Sequence, residues 1–259
     1  MRQVLIFIAL GCCFLCSYAQ GHKPPPNGWQ IAHLLGRVEK LKETSDGRSS
    51  IHYYDERGYE VKCLRYDNFG LLTYTITCRY NERGEVVEYS SGSKEPLSRM
   101  VYHYKYDSTG NTLESEGIPE GETTGYRVEY TYDNIGNKVK SISHGRDGTV
   151  TETTQYEYDS SGHLLSETRY LPENKELKLK YDIRGNMVEH LFSSPDGKIT
   201  EILTYDDKGN MTSHTMADPA SSDNTVVYNY DYDAQGNWIK KRNSLDADRT
   251  EEREIEYYH

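Results

Sequence analysis

The stretch Tyr130–Asn137 reads YTYDNIGN and has near-copies at Tyr104 (YKYDSTGN), Tyr156 (YEYDSSGH) and Tyr230 (YDYDAQGN). Two tyrosines two residues apart lie on one face of an extended strand. The aspartate that follows can accept hydrogen bonds from backbone N–H groups ahead of it. The glycine three residues later supplies the positive φ that closes a tight loop. The stretch therefore reads as the end of a strand and the turn of a β-hairpin.

The pattern Tyr-(Asp/Asn)-x-x-Gly begins at Tyr54, Tyr66, Tyr80, Tyr106, Tyr132, Tyr158, Tyr181, Tyr205 and Tyr232, nine copies in 259 residues. From Tyr80 to Tyr158 the spacing is 26 residues three times running. A fixed period implies one supersecondary unit used repeatedly. Runs such as Tyr126–Tyr132, Met100–Tyr106 and Val226–Tyr232 alternate apolar and polar residues, the signature of a half-buried antiparallel strand. Weaker turns at Asp147-Gly148, Glu173-Asn174 and Asp196-Gly197 fall midway between the motif turns. The expected fold is all-β: a long antiparallel meander of about eighteen short strands built from YDxxG hairpins, forming a twisted or curled single sheet. Over the long-period region the motif turns share one edge; between Tyr54 and Tyr80 they alternate ends. No helix is expected, Ile31–Glu43 being the one ambiguous stretch.

Register follows from parity. If Asp-x-x-Gly is a four-residue loop, Tyr132 faces Asn137 and Tyr130 faces Val139. The residue three after each glycine then shares the tyrosine face. Those positions are Val61, Thr73, Val87, Leu113, Val139, Leu165, Val188, Thr212 and Ile239, mostly aliphatic, which favours that loop length. An open meander would leave two edge strands, and Glu251-Glu252-Arg253-Glu254 reads as charge protecting the last one.

The first residues combine Arg2, an apolar run from Val4 to Leu10 and Ser17-Tyr18-Ala19, the layout of a secretory signal over residues 1–19 rather than a membrane span. Ala9-Leu10-Gly11-Cys12 offers the alternative of a lipid anchor on Cys12. Residues 20–47 read as an N-terminal segment with the first strand, and 48–259 as the repeat sheet. The net charge of −11 and the lack of a basic cluster exclude nucleic acid as a partner. Tyrosine, at 24 residues, replaces the aliphatic core of an ordinary domain.

The nine motif copies resemble the tyrosine-aspartate (YD) repeats of the RHS family of cell-surface proteins, over roughly Tyr53 to Tyr258. That resemblance implies a strip of hairpins which, in the large toxins of the family, spirals into a shell around a toxic domain. This chain is far shorter and lacks the Asp-Pro-x-Gly-Leu sequence of the shell-closing protease site; Asp218-Pro219-Ala220 does not match it. The resemblance therefore implies a short exported member without toxin delivery.

Beyond the signal-like residues 1–19, which hold Cys13-Phe14-Leu15-Cys16, the chain contains no HExxH, GxSxG, CxxC or Walker-type motif, so no catalytic, cofactor or metal site is expected. His190 and His214 occupy equivalent positions two strands apart, roughly 10 Å, and read as surface histidines. Asp231 and Asp233 read as strand and turn residues rather than calcium ligands. With the four-residue loop, Cys63 and Cys78 lie roughly 13 Å apart, beyond disulfide reach. The candidate ligand platform is the tyrosine stripe: Tyr104, Tyr106, Tyr130, Tyr132, Tyr156, Tyr158, Tyr230 and Tyr232. The expected function is a non-enzymatic binding or scaffolding module for a glycan or protein, in the periplasm, at the surface or outside a Gram-negative bacterium. The alternative is a detached fragment or accessory of an RHS-type toxin system. An outer-membrane barrel fits the strand count, but Lys138–Ser143 and Thr149–Tyr158 are polar on both faces, against a lipid-facing wall. Oligomeric state is left open.

Overall fold

The computed structural model describes residues 26–217, 224–246 and 249–259. The expected signal over residues 1–19, the Cys12 alternative and Asp218-Pro219-Ala220 lie outside the described residues. Eighteen strands run from β1 (Val38–Ser45) and β2 (Arg48–Tyr54), through β3 (Glu60–Tyr66) and β4 (Leu72–Tyr80), to β18 (Thr250–Tyr257). Each pairs antiparallel with its neighbours in the chain. The eight motif turns other than that after Tyr66 lie at one end, the motif rim, and the Tyr66 turn lies at the other.

The expectation of an open sheet is overturned. β18 pairs with β1 in the register Lys40↔Glu256, Leu41↔Ile255 and Glu43↔Arg253, so the meander closes into an 18-stranded barrel. Closure satisfies both edge ladders and removes the edges themselves. The acidic run read as edge protection is the closing seam. Glu254 pairs with Lys42 at 2.6 Å, Arg253 with Glu43 at 2.8 Å, and Glu252 with Lys240 on the other side at 2.9 Å.

The expected register is also overturned. Asp133 N–H donates to Asn137 O at 2.9 Å and Gly136 N–H to Asp133 O at 3.2 Å, with Gly136 at φ +87°. This is a three-residue loop. It is followed by a β-bulge: Tyr132 pairs with Lys138 but Thr131 pairs with Lys140, which leaves Val139 as the extra residue. The same shift follows all nine motif turns and leaves out Val61, Thr73, Val87, Leu113, Leu165, Val188, Thr212 and Ile239 in turn. These residues do not share the tyrosine face; Leu113 and Leu165 are 43% and 46% exposed. Each bulge sharpens the local twist, and nine of them give the curvature that a plain meander lacks.

Register carries one face around the ring. Leu41, His52, Cys63 and Ile76 are successive cross-strand partners, and Tyr156, Glu167, Leu179 and His190 continue the same face. These residues line the lumen. The outer face alternates charge, with Lys40–Glu256, Lys105–Glu114 and Lys180–Glu189 pairs standing along the strands.

The N-terminal segment was expected to hold no helix, but Gly28–Ile31 forms a single turn (α1), because Asn27 and Gln30 make a reciprocal capping box. Trp29, Ala32 and Leu34 pack on Val38, Leu41 and Tyr54 at the motif rim. Asn237 grips this segment: its Oδ1 accepts from Leu35 N–H at 2.7 Å and its Nδ2 donates to Leu35 O at 2.8 Å.

Candidate functional site

The eight tyrosines singled out from the sequence lie on the lumen face, and their hydroxyls are engaged with the protein. A bulge removes its residue from the ladder and frees a carbonyl two residues after the motif glycine. In six repeats a tyrosine hydroxyl one repeat later donates to that carbonyl. The pairs are Tyr80 to Glu60 O, Tyr104 to Val86 O, Tyr132 to Thr112 O, Tyr158 to Lys138 O, Tyr205 to Met187 O and Tyr230 to Met211 O, at 2.6–2.9 Å. Tyr106 and Tyr232 donate instead to the carboxylates of Glu85 and Asp206. Tyr130 and Tyr156 meet Ser115 and Ser141 hydroxyls at 3.1 and 3.3 Å. Burial raises Tyr132, Tyr158 and Tyr230 above the ordinary phenol range, so these hydroxyls remain protonated donors.

The tyrosines are thus gathered by pairs rather than into one platform. Tyr104 stacks on Tyr106 at 6.4 Å between ring centroids, and Tyr230 lies 6.2 Å from Tyr232. The Lys138 ammonium sits 4.4 Å from the Tyr156 ring centroid and 5.7 Å from that of Tyr130. Tyr130 and Tyr132 also line a groove at the motif rim between the Asp107 and Asp133 turns.

Another part of the lumen holds groups that the sequence reading passed over. A cavity of about 350 Å³ lies between the N-terminal segment and the inner faces of β2, β3 and β4. Its walls include Tyr54, Tyr59, Tyr80 and Tyr89, with Arg65 and Arg253. Inside it His52 Nδ1 lies 3.1 Å from Glu60 Oε2, and His52 Nε2 lies 3.1 Å from Ser50 Oγ and 3.7 Å from Glu43 Oε2. Cys63 is the cross-strand partner of His52. Burial opposes charge on His52, but hydrogen bonds with Cys63 and Glu60 outweigh it and push its pKa up to about 10. Cys63 and Cys78 are not joined by a disulfide, and both line this cavity. On the other side Cys63 is the cross-strand partner of Ile76.

His190 and His214 are corrected as well. They are not surface histidines; both turn inward onto Glu201, at 2.9 Å from His190 Nδ1 and 3.7 Å from His214 Nε2. The hydrogen bond from His190, ahead of the nearby histidine charge, holds the Glu201 carboxyl below its usual range. Asp231 bonds Arg242 outside the barrel, and Asp233 caps its turn by accepting from Gln235 and Asn237 N–H groups at 3.0 and 2.9 Å.

No family model and no curated protein matches this chain. Among solved structures it is similar to a porin-like protein from Bacteroides uniformis, at 13% identity over 85% of this chain and 98% of that one, with a TM-score of 0.42. A porin-like protein from Bacteroides vulgatus matches at 14% identity over the same shares, with a TM-score of 0.37. A TcdB2-TccC3 complex matches at 14% identity over 76% of this chain and 11% of that one, with a TM-score of 0.28.

Proposed function

We propose that the chain is an exported, non-enzymatic barrel of the YD-repeat kind that binds a carbohydrate-sized ligand in its lumen. The observation that carries this reading is the cavity of about 350 Å³ walled by the rings of Tyr54, Tyr59, Tyr80 and Tyr89 beside Arg65 and Arg253. Aromatic faces with charged groups at their margins suit sugar rings, which present apolar C–H faces and polar edges. A concave site of that size favours a small ligand over a protein surface. The charged outer face belongs in water, since a lipid-facing wall needs a continuous apolar band.

A glycan array probed with the mature chain, followed by calorimetry on any hit, tests the proposal. Binding should fall on Arg65→Ala, which changes the cavity wall, and should survive Lys180→Ala on the outer face. A blank array, or equal loss with both variants, overturns it.

A further inference from the structure

Among the described residues, one place brings three side chains of different ligating chemistry together: His52, Glu60 and Cys63, whose donor atoms all lie within 4.8 Å of one another. We propose that this cluster is a binding site for a single thiophilic divalent cation, Zn²⁺ by its donor set, held by His52 Nδ1, a Glu60 oxygen and Cys63 Sγ. The inference is independent of the carbohydrate reading.

The distances fit. Tetrahedral Zn²⁺ with bonds of about 2.0–2.3 Å sets its donor atoms roughly 3.3–3.8 Å apart. His52 Nδ1 and Glu60 Oε2 are already 3.1 Å apart, so capture of an ion requires side-chain shifts on the order of 1 Å. The backbone under them is fixed, because His52 and Cys63 are opposite each other on the β2–β3 ladder and Glu60 opens β3 opposite Tyr54. The second imidazole nitrogen is oriented from outside the donor set, by Ser50 Oγ at 3.1 Å and the Glu43 carboxylate at 3.7 Å. A carboxylate behind a histidine is the arrangement that fixes the tautomer of a metal-bound imidazole.

Charge and chemistry fit too. A carboxylate and a thiolate together neutralise a divalent ion, and a metal takes such ligands in their deprotonated forms. Sulfur with imidazole selects Zn²⁺ over Mg²⁺ or Ca²⁺, which take oxygen donors. The surrounding cavity leaves room for a water as fourth ligand.

The test is Co²⁺ titration of the reduced, chelator-treated mature chain, with Zn²⁺ as competitor. The expected result is a sulfur-to-cobalt charge-transfer band in the near ultraviolet that saturates at one equivalent and is bleached by Zn²⁺. The band should vanish in Cys63→Ser and persist in Cys78→Ser. Glu43→Gln should keep the band and weaken affinity about 10- to 100-fold, as loss of an orienting partner does. Far-ultraviolet circular dichroism of each apo variant separates loss of a ligand from loss of the fold. The wild-type titration needs no variant: absence of the band, or a band that follows Cys78 instead of Cys63, overturns the proposal.

Discussion

Replacement of Tyr132 by phenylalanine removes one oxygen and should destabilise the barrel well beyond what that atom's own contact suggests. The hydroxyl donates to Thr112 O at 2.9 Å, and Thr112 is 4% exposed. Water cannot readily take the place of the donor. An average intramolecular hydrogen bond contributes about 1 kcal/mol net, but a buried acceptor left without a donor costs about 1–3 kcal/mol. In a domain of this size each kcal/mol corresponds to about 2–4 °C in Tm, so Tyr132→Phe should lower Tm by several degrees. Tyr53→Phe is the control, since Tyr53 stands on the outer face with Lys62 above its ring, and it should remain within about 0.5 kcal/mol of wild type. Calorimetric scans and urea titrations of the purified protein measure both. Equal stability of the two variants would refute the idea that the tyrosine hydroxyls serve the bulge carbonyls.

Gly136→Ala and Gly58→Ala should differ. Both glycines have positive φ, but a Cβ on Gly136 meets nothing within 4 Å, whereas one on Gly58 comes within 2.5 Å of Trp29 Cδ2. The first should cost about 1–2 kcal/mol of backbone strain, and the second more, with a change in tryptophan fluorescence. Asn237→Ala removes both bonds to Leu35 at a buried position, so amide exchange at Leu35 should accelerate, while the amide of Ile76 in β4 stays protected; equal exchange would remove the assigned grip. Asp107 is held down to about 2, first by the hydrogen bond from Thr109 Oγ1 and then by the Asn111 and Thr109 N–H groups. A depressed carboxyl contributes stability above its unfolded pKa near 3.8 that is lost as pH falls through about 2. Asp107→Asn should therefore flatten the acid limb of a Tm-against-pH profile, with Asp231→Asn as a comparison outside the turns.

The repeat was legible in the sequence because its signals are local. Alternation gives the strands, Asp and Gly give the turns, and the parity of strand order places Tyr66 at the rim opposite Tyr54 and Tyr80. Closure was not legible, because the pairing of Lys40 with Glu256 joins residues more than two hundred positions apart and leaves no periodic trace. The bulges were concealed by composition. Val139 and its equivalents are mostly aliphatic and imitate a core position, although they sit where the ladder has one residue too many. That error hid the lumen cluster. An unbulged ladder from a four-residue loop sets His52 opposite Val61 and Cys63 opposite Ser50; the observed turn and bulge set His52 opposite Cys63.

The same bulges explain why the motif uses tyrosine where phenylalanine would pack as well. A ring alone could cover the lumen wall, but only a hydroxyl reaches the carbonyl that the preceding hairpin frees. In those six repeats a hairpin is therefore joined to the preceding one by two independent devices, the strand ladder and a side chain that spans it. This second set of links continues to the end of the chain. Tyr257 donates to Asp233 as Tyr232 does to Asp206, and Tyr258 donates across the seam to Tyr54 O. At that last repeat the side-chain amide of Asn237 does not donate back to its turn aspartate, as those of Asn137 and Asn210 do, but donates to Leu35 O and the Tyr257 hydroxyl. The position that elsewhere stiffens one turn here joins the two ends of the chain, which makes the closing seam a specified contact rather than a chance meeting of two free edges.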